Sequence, residues 1–261
     1  MSWLFGRRNF LSAEDEAWHF ETWLWFLQNF GGLAALRARK TVNATREFFP
    51  PTEATGHARA EHIFECVKQH AGMASWPCSL LEQPKRPKAL VGQYTALRPV
   101  ARHLPLGTFL ARDGVATISY DPDLLDEPAV MVSTLAHELA HYLLYNAPTE
   151  PPGGEVMHEY ATDLATVFLG FGLFGANRAF EFSQHGDSIS QGWQMQSRGY
   201  LSERDWIFGL AVYVTLRDED PRLLKTLLKP HLYDGLRKAH AYLAKNASYL
   251  DAHRKRGAAT P

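Results

Sequence analysis

The sequence predicts an α+β fold, a small mixed sheet packed among helices with further helices on both flanks. Three observations point there. Short apolar runs broken by Pro, Gly and Arg crowd into residues 76–120, while the segments on either side repeat apolar residues at the three-to-four spacing of helices. Capping residues open the helical stretches and glycines close several of them. Hydrophobic residues make up 46% of 261, enough for one sizeable core with helical extensions.

The elements follow in order. In LSAEDEAWHFETWLWFLQNFGG, Ser12 precedes an acidic first turn and Gly31-Gly32 ends the pattern, so residues 13–30 are expected to be a helix. Trp18, Trp23, Trp25 and Phe26 make it strongly aromatic, which suits packing on the protein's own core or a groove for a partner. HARAEHIFECVKQHAG reads as a second helix stopped at Gly72. CSLLE, GTFLA and VATISYD read as strands; the last sets Val115, Thr117 and Ser119 on one face and Ala116, Ile118 and Tyr120 on the other. A helix is expected over residues 128–145, with Val132, Leu135, Leu139 and Leu143 among its apolar positions. NAPTEPPGG is a loop, and EVMHEYATDLATVFLG opens the next helix, so the two should pack as a hairpin. Phe182–Gly199 is polar and irregular, in the manner of a lid. Beyond it, Ser202 with Asp205, Asp220-Pro221, and the stripe Leu232, Leu236, Ala239 and Leu243 announce C-terminal helices. The expected organisation is an N-terminal helical segment over 1–75, a core over 76–180, a lid-like loop with C-terminal helices over 181–251 and a disordered tail over 252–261.

Bulk properties narrow the function classes. A formal charge of −1 gives no global field to attract nucleic acid or an anionic membrane, and HRKRG near the C-terminus reads as a solvated tail. LATVFLGFGLFGA, 13 residues long, is too short to cross a membrane and reads as a buried helix. Cys66 and Cys78 are too few for a disulfide framework and lack the CxxC spacing of a cysteine zinc site, which fits a reducing, cytoplasmic setting. MSWLFGRRNF does not have the order of a secretory signal, since its arginines follow the apolar patch.

The chemistry concentrates in TLAHELAHYLLY, residues 134–145. On a helix His137 and His141 stand one turn apart on one face, so both imidazoles can reach a single ion, and Glu138 lies beside them without being forced to ligate it. A chance HExxH in this composition has a probability of about 0.03, so the pattern needs a third ligand to carry weight. A histidine six residues after His141 is excluded, because Ala147 stands there and Leu144 replaces the glycine such a site needs. HEYATD instead offers Glu159, eighteen residues after His141, with Asp163 one turn further along; Glu155 and His158 are substitutes.

HELAH followed by EYATD resembles the gluzincin branch of zinc metallopeptidases, and the short spacing is most similar to minimal gluzincins and the ImmA/IrrE group. The resemblance covers residues 115–172. It implies a zincin-like core with an active-site helix and a glutamate helix, and one zinc ion held by His137, His141 and Glu159. It further implies that Glu138 is the general base and that Asp163 holds a histidine ligand from behind. The activity implied is hydrolysis of a peptide or protein substrate, with a binding or regulatory protein on the same scaffold as the alternative. An oxyanion donor is sought in Tyr200 and His185, ahead of Arg198. VATISYD, if an edge strand, would pair with extended substrate. The flanking helices have no counterpart in the motif and are available to a second copy or a regulatory protein.

Overall fold

The computed structural model describes residues 9–85, 105–112, 115–185 and 200–246, excluding the side chains of 180–185. Among these residues eight helices surround a three-stranded sheet, an α+β arrangement. Strands β1 (Cys78–Glu82), β2 (Gly107–Arg112) and β3 (Val115–Tyr120) lie in the order β1-β3-β2. β3 is parallel to β1 and antiparallel to β2, with Leu80 and Phe109 both opposite Ile118. The alternation in VATISY holds, since Ala116, Ile118 and Tyr120 are buried and Val115 is exposed.

One strand expectation is corrected. VATISYD is the central strand with both sides paired, so it cannot accept an extended substrate; β2 is an edge of the described sheet. Strand spacing along the chain does not reveal this, because β2, next after β1 in sequence, lies at the far edge and β3 returns to fill the place between them.

Helix α1 (Ala13–Asn29) starts where Ser12 Oγ accepts the Asp15 amide at 3.0 Å. Trp23, Phe26 and Leu27 are fully buried, each burial contributing about 1.5–3 kcal/mol. The aromatic helix therefore packs on the protein's own core. Gly31, at φ 84°, turns the chain straight into α2 (Gly32–Ala38), a helix hidden behind the Gly-Gly stop signal. Helix α3 (Gly56–Ala71) ends at Gly72 in the left-handed conformation, as expected.

Helix α4 (Pro128–Tyr145) packs against β2 and β3 and is followed by α5 (His158–Phe168), entered through a 3-10 turn over Gly154–Met157. Two indoles of α1 hold the loop between them: Trp25 Nε1 donates to Thr149 Oγ1 at 2.8 Å and Trp18 Nε1 to the Pro152 carbonyl at 3.0 Å. The N-terminal helix thus fixes the connection that sets α4 against α5.

LATVFLGFGLFGA is buried, but it forms parts of two helices. The chain breaks at Gly170, φ 99°, where a Cβ would stand 2.3 Å from the Lys40 carbonyl oxygen. The break satisfies the Val42 amide, which donates to the Gly170 carbonyl at 2.9 Å. Helix α6 (Gly172–His185) then runs further than expected, so the irregular stretch does not begin at Phe182. The remainder of that lid-like stretch, 186–199 with Arg198, and the tail at 252–261 lie outside the described residues.

Helix α7 (Glu203–Leu216) is capped by Ser202 as read, whereas Asp220-Pro221 opens only a 3-10 turn over Pro221–Leu224. Helix α8 (Pro230–Lys245) packs on α7 and buries Leu232, Leu236, Ala239 and Leu243. Cys66 and Cys78 form no disulfide, and no described helix is long and apolar enough to cross a membrane.

Candidate metal centre

Helix α4 is oriented by its apolar side. Leu135, Leu139 and Leu143 are buried, and this turns Thr134, His137 and His141, at i, i+3 and i+7, along the opposite side toward α5. Helix α5 is seated by Leu164, Val167 and Phe168, all fully buried, and presents Glu159 from its first turn.

The two helices close a triangle. His137 Nε2 and His141 Nε2 lie 3.3 and 3.5 Å from the same oxygen, Glu159 Oε2. One ligand atom from each residue fits within 4.8 Å of the others, and this is the metal-competent group among the described residues. The two rings meet edge to face with centroids 4.8 Å apart. His158 stacks on His141 at 5.5 Å without entering the group, and Glu155 is exposed in the preceding turn, so neither substitute ligand is used.

Hydrogen bonds behind the rings set their tautomers. His137 Nδ1 is 3.0 Å from Asp163 Oδ1 and donates to it. His141 Nδ1 is 3.3 Å from Thr162 Oγ1, whose own proton goes to the His158 carbonyl at 2.9 Å, so the hydroxyl oxygen accepts from the ring. Both Nε2 atoms thereby face Glu159 Oε2, the arrangement in which all three could share one ion. Thr162 is a member of the site that sequence reading passed over. Its signal was its place three residues after Glu159, next to Asp163 on the same helix. If the group holds zinc, Thr162→Val, equal in shape but unable to accept, is expected to weaken that binding by about 10-fold with the fold intact. Competition titration against a chromophoric chelator measures this, and an unchanged affinity removes Thr162 from the site.

Compared with known proteins, the chain matches no family model, no curated protein and no solved structure.

Its electrostatics call for a cation. Burial opposes a charge on His137, but the Asp163 and Glu159 carboxylates outweigh it and push the imidazolium up to about 10. Burial acts against the Glu159 charge too, yet hydrogen bonds from His137 and His141 hold its carboxyl well below the usual range. Without a metal, a proton on His137 supplies the positive charge this cluster requires.

Glu138 lies beside the same group, against β2. It is 6% exposed, and burial raises its carboxyl, offset in part by both histidines and by a hydrogen bond from the Phe109 amide. Gly107 makes room for it, since a Cβ there would lie 2.9 Å from Glu138 Oε1 and 2.7 Å from Thr134 Cγ2. Gly107 is a second residue missed in the sequence, where it reads only as the start of a strand.

Tyr200 is brought to the site. Its ring is 5.9 Å from that of His137, and the Leu201 amide beside it donates to Asp163 Oδ2 at 3.0 Å. Asp163 therefore orients a histidine with one oxygen and anchors the Tyr200 segment with the other. Burial, reinforced by Glu159, Asp163 and Glu138, raises the phenol and keeps it protonated. His185 closes α6, and its side chain lies outside the described residues.

Proposed function

We propose that the protein is a zinc-dependent metallopeptidase with a zincin-like core, acting on peptide or protein substrates in the cytoplasm. The observation that carries this reading is a division of roles along one helix. Two imidazole nitrogens and one carboxylate oxygen converge, while Glu138, buried beside them, stays out of the group. Two nitrogens and one oxygen in this arrangement suit zinc and leave a coordination position for chemistry. The cluster's need for positive charge, met by a proton on His137, supports the same fit.

Zinc, when bound, would supply Lewis acidity toward a scissile carbonyl and an attacking water. The chain's own groups account for the rest. Glu138 accepts the water proton and returns it to the leaving amine, a task for which its raised pKa suits it. Tyr200, protonated and adjacent to His137, donates to the developing oxyanion. The edge strand β2, whose Phe109 amide already touches Glu138, offers main-chain groups to an extended peptide.

The test is elemental mass spectrometry on protein purified without added metal, for the parent and Glu159→Ala together. About one zinc per parent chain, largely lost in the variant, is expected, with peptide hydrolysis abolished by a chelator and restored by zinc. Failure of both proteins to bind zinc even when it is supplied would sink the reading.

A further inference from the structure

The C-terminal ends of α1 and α4 meet beside the turn that precedes β1. A hollow of about 460 Å³ opens there, lined by residues 29 and 30 at the end of α1, 142 and 146 at the end of α4, and 75–77. None of these residues carries a formal charge, and none belongs to the group formed by His137, His141 and Glu159. We propose that this hollow is a second binding site, separate from the metal group, and that its ligand is a small organic cation of the alkylammonium class. The proposal does not rest on the peptidase reading above.

Three features converge on a cation. The first is the field. Helices of 17 and 18 residues end at the hollow, so the negative poles of two macrodipoles, each equivalent to roughly half an elementary charge, share it. A Lys or Arg in the last turn is the usual complement to such a pole, and neither helix has a basic residue there. The second is the pair of amides at the two helix ends. Asn29 Nδ2 donates to the Trp25 carbonyl at 2.8 Å, and Asn146 Nδ2 to the Tyr142 carbonyl at 2.9 Å, each four residues back on its own helix. Among the described residues neither Oδ1 accepts a hydrogen bond, so both helix ends bring an acceptor that lacks a donor.

The third feature is aromatic. Trp76 meets Tyr142 edge to face, with centroids 5.0 Å apart and planes at 86°, and Phe30 adds a third ring to the lining. Tyr142 is held in place, since its hydroxyl donates to the Pro77 carbonyl at 3.0 Å and its ring stacks on Phe109. Rings fixed at right angles turn their electron-rich faces in different directions, which suits a compact cation better than a flat neutral ligand. A hard metal ion is disfavoured, because it needs several oxygen ligands and the hollow has no carboxylate. An alkylammonium group matches all three features: its charge meets the helix poles, its N–H or polarised C–H groups meet the amide oxygens, and its carbon shell meets the rings.

The experiment titrates full-length protein, by calorimetry and saturation-transfer NMR, with choline and with 3,3-dimethylbutan-1-ol, its neutral isostere. Choline is expected to bind about 10-fold more tightly. N-acetyl-lysine methylamide and its trimethylated form are titrated alongside to separate the sources of the ammonium group. Tighter binding of a lysine form assigns the cation to a peptide, tighter binding of choline assigns it to a free ligand, and either supports the site. Trp76→Leu keeps apolar bulk without the indole face and should bring the ratio of choline to isostere affinity down to about 1. Asn146→Lys, at an exposed position, tethers an ammonium group at the same helix pole and should abolish choline binding; it decides the matter should Trp76→Leu fail to fold. Equal affinity for choline and its isostere, no binding of any of the four ligands, or a choline preference that survives either folded variant overturns the site.

Discussion

Replacement of Glu138 by Gln is expected to lower peptide hydrolysis by about 10²–10⁴-fold while zinc content stays at the parental level. Gln keeps the shape that fills the space left by Gly107, so the variant should fold. What it loses is proton transfer. The parental carboxyl is poised for that work because burial raises it, while His137, His141 and the Phe109 amide keep its charged form accessible. Zinc stoichiometry and kcat, measured on the same preparation, check the expectation. Turnover equal to the parent's would remove Glu138 as the base. A biological effect that persists in the variant would favour a binding or regulatory protein on the same scaffold.

The second large effect is a divergence of metal-free and zinc-loaded protein with pH. His137 is raised on folding, so without metal its contribution is complete below about 6.5 and is lost as pH rises through about 10. Glu159 is lowered on folding, so its contribution is present above about 4.5 and is lost as pH falls through its folded value. From these two groups, metal-free protein is most stable between about pH 4.5 and 6.5. Zinc is expected to reverse the alkaline limb, because the ion would replace the His137 proton. Zinc affinity should rise about tenfold per pH unit between roughly pH 7 and 9, with one proton released per ion. Thermal melts in chelator and in buffered zinc at pH 6, 7.5 and 9 test this. Parallel curves would show that no proton on His137 competes with the metal.

Much of the candidate site was legible in the sequence because its residues are spaced by helical geometry. The four-residue step from His137 to His141, and from Glu159 to Asp163, needs only one turn of helix to become a shared face. Thr162 and Gly107 were not legible for opposite reasons. Thr162 acts through a hydroxyl whose proton is committed to the His158 carbonyl, a detail of α5 alone that residue type does not announce. Gly107 acts by lacking a side chain at a close approach of β2 to α4, which exists only after the two pack.

By itself the sequence determined the helices that bear the candidate site, the faces they bury and the three strands, since local periodicity and capping depend on neighbours along the chain. It misjudged the Gly-Gly pair at 31–32 and the run around Gly170, where a helix stop and a helix continuation look alike until the chain packs against Lys40 and Val42. Only the tertiary structure decided that β3 is central, that Trp18 and Trp25 hold the loop between α4 and α5, and that Arg178 meets Thr134 across 44 residues. Those facts follow from which surfaces meet, and the pairing of distant surfaces is set by burial of the whole core, which no local pattern encodes.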